Sequence, residues 1–172
     1  MQRILSALAL AGVLALGACA SGPSTSPNAI AADAQALLAA AEANGSISQG
    51  DAAIVSDIIT GFETVASATE ASVTGGDSTT VTALKTLDTA IGEVAADSTS
   101  STVSADATKA EALVADLLTG GTTVTQAQVK TAVATFLIDY LASHSSASAA
   151  PGSVSPTQLL IEDARAQIAT IS

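Results

Sequence analysis

Cysteine, histidine and aromatic residues are scarce in this chain of 172 residues. It has one cysteine, one histidine, one tyrosine, two phenylalanines and no tryptophan. A single cysteine excludes an intramolecular disulfide and any zinc site built from several thiolates. Carbohydrate and nucleobase sites use aromatic stacking surfaces, so the shortage of rings argues against both. We therefore expect any partner surface to be aliphatic or charged.

Basic residues are also few. Five lysines and arginines stand against sixteen acids, and the formal net charge is −11. Contacts with phosphate groups need a basic face, so this balance predicts no nucleic-acid partner. It also argues against a domain that lies flat on anionic lipid. The same charge favours solubility and, more weakly, a basic partner or divalent cations.

The first residues have the pattern of a signal peptide. Arg3 supplies one positive charge, and an apolar run follows from residue 4 to residue 16. A helix of roughly 13 residues spans about 20 Å, which is shorter than the roughly 30 Å hydrocarbon core of a bilayer. The run is therefore interpreted as the apolar region of a cleaved signal and not as a membrane span.

The end of this signal is Leu16-Gly17-Ala18-Cys19, which resembles the lipobox of bacterial lipoproteins. The resemblance covers about the first 20 residues and implies cleavage before Cys19, whose thiol takes up a diacylglyceryl group. Three acyl chains on the mature N-terminus would make a permanent membrane anchor. Ala20 stands where an aspartate would imply inner-membrane retention, so we expect an outer-membrane protein facing the periplasm. The alternative is an ordinary secretory signal cut within residues 18–20, and Gly17 is a small departure from the lipobox pattern.

The predicted organisation is a signal peptide over 1–18, a lipidated cysteine and flexible tether over 19–28, and a helical domain over 29–172. Proline, serine and glycine in the tether cannot build a core. Loss of Arg3 leaves sixteen acids and four bases, so the mature net charge is −12 with an acylated N-terminus.

Apolar residues recur at helical spacing throughout the domain, and no sustained alternation indicates a strand. The sequence predicts an all-α bundle of five to six short amphipathic helices, with segments at 29–43, 49–72, 79–96, 105–119, 126–142 and 156–170. Ser48, Thr125 and Ser155 have the pattern of N-caps followed by helices. A faint internal repeat would divide the domain into halves 29–97 and 104–172. The alternative is that efficient helix starts resemble one another whatever their ancestry.

No catalytic, metal or cofactor motif appears, and we expect a protein that is not an enzyme. His144 lies at the end of the fifth predicted helix without the context of a triad. Acids that could pair for glycosidase-like chemistry are spread along polar helix faces. They are Asp57, Glu63, Glu70, Asp88 and Glu93. Solvent-exposed surface is the simpler interpretation for all of them.

Phe62, Phe136 and Tyr140 lie on inward stripes and are predicted to be core residues. With Ile58 they could instead line a pocket for a small apolar ligand, which a cavity would favour and close packing would oppose.

The preferred function is a membrane-anchored envelope lipoprotein that acts as a structural or protein-interaction module with an unidentified envelope protein. The alternatives are a carrier or sensor of a small apolar ligand, and a lysis or envelope accessory lipoprotein of the kind found among phage-derived genes. A partner-binding role predicts an uncovered aliphatic patch. The last predicted helix could supply it, because a long Ser/Ala segment precedes that helix.

Overall fold

The computed structural model describes residues 27–74, 76–120, 124–145 and 154–171. These ranges contain helices and no strand, so the predicted all-α bundle is confirmed. The helices are α1 (Pro27–Ala43), α2 (Gln49–Ser67), α3 (Glu70–Thr74), α4 (Ser78–Ala96), α5 (Ser101–Leu118), α6 (Gln126–His144) and α7 (Pro156–Ile168). Helix α3 has only five residues, and the other six follow the order of the predicted segments.

Four helices form the centre of the bundle. Helices α2, α4, α5 and α6 each pack against the next, and α6 returns to α2. Helix α1 lies against α2 and α6, and α7 packs against α1 and α6. Since α6 therefore contacts four other helices, it carries buried residues on more than one face: Val129, Ala132, Val133, Ala134, Phe136, Leu137, Ile138, Tyr140 and Leu141.

The three predicted N-caps are confirmed. The side chains of Ser48, Thr125 and Ser155 each accept a hydrogen bond from a backbone amide three residues later. At Thr125 the capping box is complete, because the Gln128 side chain also accepts from the backbone N–H of Thr125. Each cap satisfies an amide that the first turn of a helix leaves unpaired. Gly45, just after α1, has a φ of 71°, the left-handed conformation expected of a glycine that ends a helix.

The predicted helix 49–72 is interrupted. Helix α2 ends at Ser67, and Ala68 is extended with ψ of 149°. The side chain of Gln126, from the start of α6, donates to the carbonyl oxygens of Val65 and Ala68. The hydroxyl oxygen of Thr69, just before α3, then accepts a hydrogen bond from the amide of Ser72 in that helix. The break was missed because its main determinant is a side chain more than fifty residues away in sequence.

Helix α5 begins earlier than predicted. The sequence predicted that this helix starts at residue 105. Instead Ser100 is the N-cap, and its hydroxyl accepts from the amide of Val103. Val103 is buried, so its packing offsets the modest helix propensity of the serines and threonines around it.

The remaining boundaries differ by no more than two residues. Helix α1 starts at Pro27, inside the predicted tether 19–28, and proline is well suited to the first turn of a helix. Helix α6 continues to His144 instead of 142. Ser46, in the turn after α1, donates from its hydroxyl to the carbonyl oxygen of His144, so the ends of α1 and α6 lie side by side.

Candidate functional site

The predicted lipidation site lies outside the described residues. This applies to Leu16, Gly17, Ala18 and Cys19, and to the tether before Pro27. The eight residue steps from Cys19 to Pro27 can span at most roughly 30 Å when extended. The prediction of an anchor therefore rests on the sequence.

His144 is the last residue of α6 and is half-buried. Its Nδ1 atom lies 3.0 Å from the carbonyl oxygen of Tyr140 and 3.1 Å from the hydroxyl of Ser143. The imidazole also packs on the Tyr140 ring, with 4.4 Å between ring centroids. These contacts orient the ring at a helix end, where a protonated histidine interacts favourably with the helix dipole.

The aromatic residues form part of the core. Phe62 and Phe136 are fully buried, as is Ile58, and the Phe136 and Tyr140 ring centroids lie 6.2 Å apart. Burial raises the pKa of Tyr140 to about 12, and the charges of Asp51 and Asp97 act in the same direction. Asp51 lies near the start of α2, and Asp97 directly follows the end of α4.

The acids singled out in the sequence differ in their exposure. Asp57 and Glu93 are exposed, Glu63 and Asp88 are half-buried, and the side chain of Glu70 lies outside the described residues.

Burial raises the pKa values of three other carboxyl groups, which belong to Asp33, Asp106 and Glu111. For Asp33 the nearby charge of Asp163 adds to this increase, whereas the hydrogen bond from Gln167 lowers the pKa. The partial burial of Asp33 was weakly indicated by its position in the sequence. It lies one turn before the buried Leu37 and therefore beside the apolar stripe of α1.

Two pairs of carboxylates meet at contacts made by α7. Gln167 donates from Nε2 to Asp33 and to Asp163, both at 2.9 Å. Arg165 donates to Asp139 at 2.6 Å. Asp139 lies against the carboxyl of Asp106, and this contact adds to the effect of burial on the Asp106 pKa, while Lys109 opposes it.

An open groove runs between α2 and α4. It consists of two adjoining depressions of about 540 and 370 Å³, which share Asp57, Thr82 and Thr86. The hydroxyls of Thr60, Thr64 and Thr82 donate to carbonyl oxygens four residues earlier in their own helices. These hydroxyls are therefore already partnered, and the groove offers methyl groups as well as polar atoms.

Among the described residues, no group of three or more histidine, cysteine, aspartate or glutamate side chains is placed to hold a metal ion. None of the helices in the described ranges is long and apolar enough to span a bilayer.

No protein-family model matches this chain, and neither a curated protein nor a solved structure does so.

Proposed function

We propose that the protein is a lipid-anchored lipoprotein of the bacterial envelope and acts as a non-enzymatic structural or protein-interaction module. The observation that carries the proposal is the order of four features at the N-terminus. A positive residue, an apolar run too short to span a membrane, two small residues and the single cysteine follow one another in register. An acylated Cys19 would hold the domain at the outer membrane, facing the periplasm.

The described domain supports this proposal by its architecture and charge. Its first helix begins at Pro27, eight residues after the proposed anchor, so the bundle would lie within roughly 30 Å of the bilayer. The strongly acidic composition would keep the domain soluble beside an anionic membrane. The candidate aromatic and histidine side chains are used in core packing and at a helix end, which supports a role without catalysis.

The anchor is tested by expressing the full chain in bacteria and measuring incorporation of labelled palmitate. We expect the wild type to be labelled and to fractionate with outer membranes. Cys19→Ser should lose both properties, whereas the matched control Ser21→Ala should retain them. Equal labelling and fractionation of wild type and Cys19→Ser would refute the lipoprotein assignment.

The interaction role is tested by crosslinking mass spectrometry on intact cells. Wild type should be crosslinked to one specific envelope protein, and Cys19→Ser should lose that crosslink. If an apolar small molecule co-purifies and no protein is crosslinked, the interaction role is wrong and a carrier role is supported.

A further inference from the structure

Helix α7 buries fewer residues completely than the central helices do, although Leu160 and Ile161 are half-buried and pack against the core. Of its thirteen residues only Ala164, Gln167 and Ile168 are buried, and one of these is polar. Val154 and Leu159, near its start, are each 56 % exposed and are the exposed large hydrophobic residues of the described ranges. By comparison, α2 buries eight residues and α6 ten. Apolar burial is the main favourable term in helix packing, and two polar contacts add to it in fixing the position of α7.

The first polar contact joins α7 to α1. The Nε2 atom of Gln167 lies 2.9 Å from a carboxylate oxygen of Asp33 on α1 and 2.9 Å from one of Asp163 on α7. The two carboxylate oxygens are therefore within about 6 Å of each other. Gln167 itself is only 5 % exposed, and its Oε1 atom is buried with no hydrogen-bond partner among the described residues. Docking of α7 thus brings two negative charges together around one partly satisfied amide.

The second polar contact joins α7 to α6. Arg165 pairs with Asp139, and Asp139 in turn lies against Asp106 of α5. Among the described residues, a buried oxygen of Asp106 has no hydrogen-bond donor while both carboxyls are ionised, and Lys109 of α5 lies close enough to lower the pKa of Asp106. Protonation of Asp106 would convert this repulsive contact into a hydrogen bond and leave the pair between Arg165 and Asp139 in place.

We infer that α7 is a proton-responsive helix, which docks tightly on α1 and α6 at mildly acidic pH and loosens as the pH rises. The charged groups at this interface are Asp33 from α1, Asp139 from α6, Asp106 and Lys109 from α5 behind it, and Asp163 and Arg165 from α7 itself.

The direction of the pH dependence follows from the linkage between docking of α7 and protonation of Asp33. When α7 undocks, Asp33 returns to water and to an ordinary carboxyl pKa. In the docked position burial and the charge of Asp163 raise the pKa of Asp33, so the docked form takes up a proton more readily. A form that binds more protons is favoured as the pH falls.

Hydrogen exchange measured by mass spectrometry tests this inference on the purified full chain. After correction for the pH dependence of the intrinsic rate, peptides from 156–168 should exchange several-fold more slowly at pH 5 than at pH 7.5. Peptides from α4, which packs mainly against α2 and α5, provide the reference within the same molecule. The inference would be overturned if the α7 peptides showed no change relative to those of α4.

Three variants test which side chains cause the pH dependence of α7 docking. Asp33→Asn keeps the acceptor for Gln167 but removes the charge, so α7 should be equally protected at both pH values. Gln167→Glu places a third carboxylate at the contact, so protection at pH 7.5 should fall and the gain at pH 5 should grow. Glu162→Gln removes an exposed charge from the same helix and should leave the pH dependence unchanged. An unaltered pH dependence in Asp33→Asn would also overturn the inference.

Discussion

Gln126 is a buried glutamine whose side chain caps a helix other than its own. It is 8 % exposed and donates to the carbonyl oxygens of Val65 and Ala68 at the end of α2. Carbonyl groups at a helix end have no partner within the helix, so a donor from elsewhere satisfies them. The neighbouring Gln128 has a different role, because it caps only the start of α6 itself.

Replacing Gln126 and Gln128 separately distinguishes the cap at the end of α2 from the cap at the start of α6. We expect Gln126→Ala to lower the free energy of unfolding by about 1–3 kcal/mol, because buried carbonyl oxygens lose their donor. Gln128→Ala is the matched control and should cost about 1 kcal/mol or less, since it removes half of an exposed capping box. Urea denaturation followed by circular dichroism measures both. Equal losses in the two variants would contradict the capping role of Gln126.

Tyr140 can be observed directly, because the chain has one tyrosine and no tryptophan. Its ultraviolet absorbance should titrate near pH 12 and not near 10, since burial and the charges of Asp51 and Asp97 oppose ionisation. Because the pKa is raised by folding, its contribution to stability is complete below about pH 10 and is lost as the pH rises toward 12. Asp51→Asn should lower the apparent pKa, and Asp57→Asn should leave it unchanged. A wild-type titration near pH 10 would show that the ring is solvated.

At the scale of helices, the contact between α2 and α4 depends on a glycine. A Cβ atom placed on Gly61 would lie 2.9 Å from Cγ of the buried Leu87 and 3.0 Å from its Cδ2. The absence of a side chain therefore lets the two helices approach closely. Gly50, in the first turn of the same helix, has only the Ser48 hydroxyl within 4 Å of such an atom, at 3.6 Å.

This pair of glycines makes a matched test. Gly61→Ala should destabilise the protein by about 1–3 kcal/mol, because Leu87 must move within a packed core. Gly50→Ala should instead be neutral or stabilise by up to about 1 kcal/mol through helix propensity. Thermal unfolding of the two variants gives the comparison. If Gly61→Ala stabilised the protein as Gly50→Ala does, the close contact between α2 and α4 would be wrong.

Helix starts were predicted well where a local motif specifies them. Ser48, Thr125 and Ser155 act within three residues of sequence. The predicted core residues Phe62, Phe136 and Tyr140 are buried as expected. The end of α2 and the α7 contacts could not be predicted in this way. Gln126 is 58 residues from Ala68, and Gln167 is 134 residues from Asp33, so only the packed fold brings these partners together. The anchor motif needs no tertiary structure, which is why the sequence alone supports it.

At the scale of the whole molecule, negative charge dominates. Burial raises the pKa values of Asp33, Asp106 and Glu111, so each binds a proton more readily in the folded than in the unfolded chain. Their contribution to stability therefore falls as the pH rises through the range between the ordinary and the raised pKa values. Protonation also reduces repulsion within a chain of net charge −11.

We accordingly expect the midpoint of urea unfolding to be higher at pH 5 than at pH 8. Asp106→Asn should reduce this difference, because it removes a partly buried charge next to Asp139. Asp57→Asn removes an exposed charge and should reduce the difference less. A midpoint that rises from pH 5 to pH 8 would contradict the assignment of these carboxyl groups.

The position of α1 also determines how the domain responds to force. Helix α1 packs against α2, α6 and α7, and its far end is tied to α6 where the Ser46 hydroxyl meets the carbonyl of His144. A pull through the N-terminal segment enters the fold at Pro27. A force along the axis of α1 acts in shear on the contacts of α1 with its three neighbouring helices. All three sets of contacts then carry the force simultaneously. Contacts that share a load in this way resist tension better than contacts that break one after another, so a pull along α1 meets more resistance than a pull that separates α1 from one neighbour at a time.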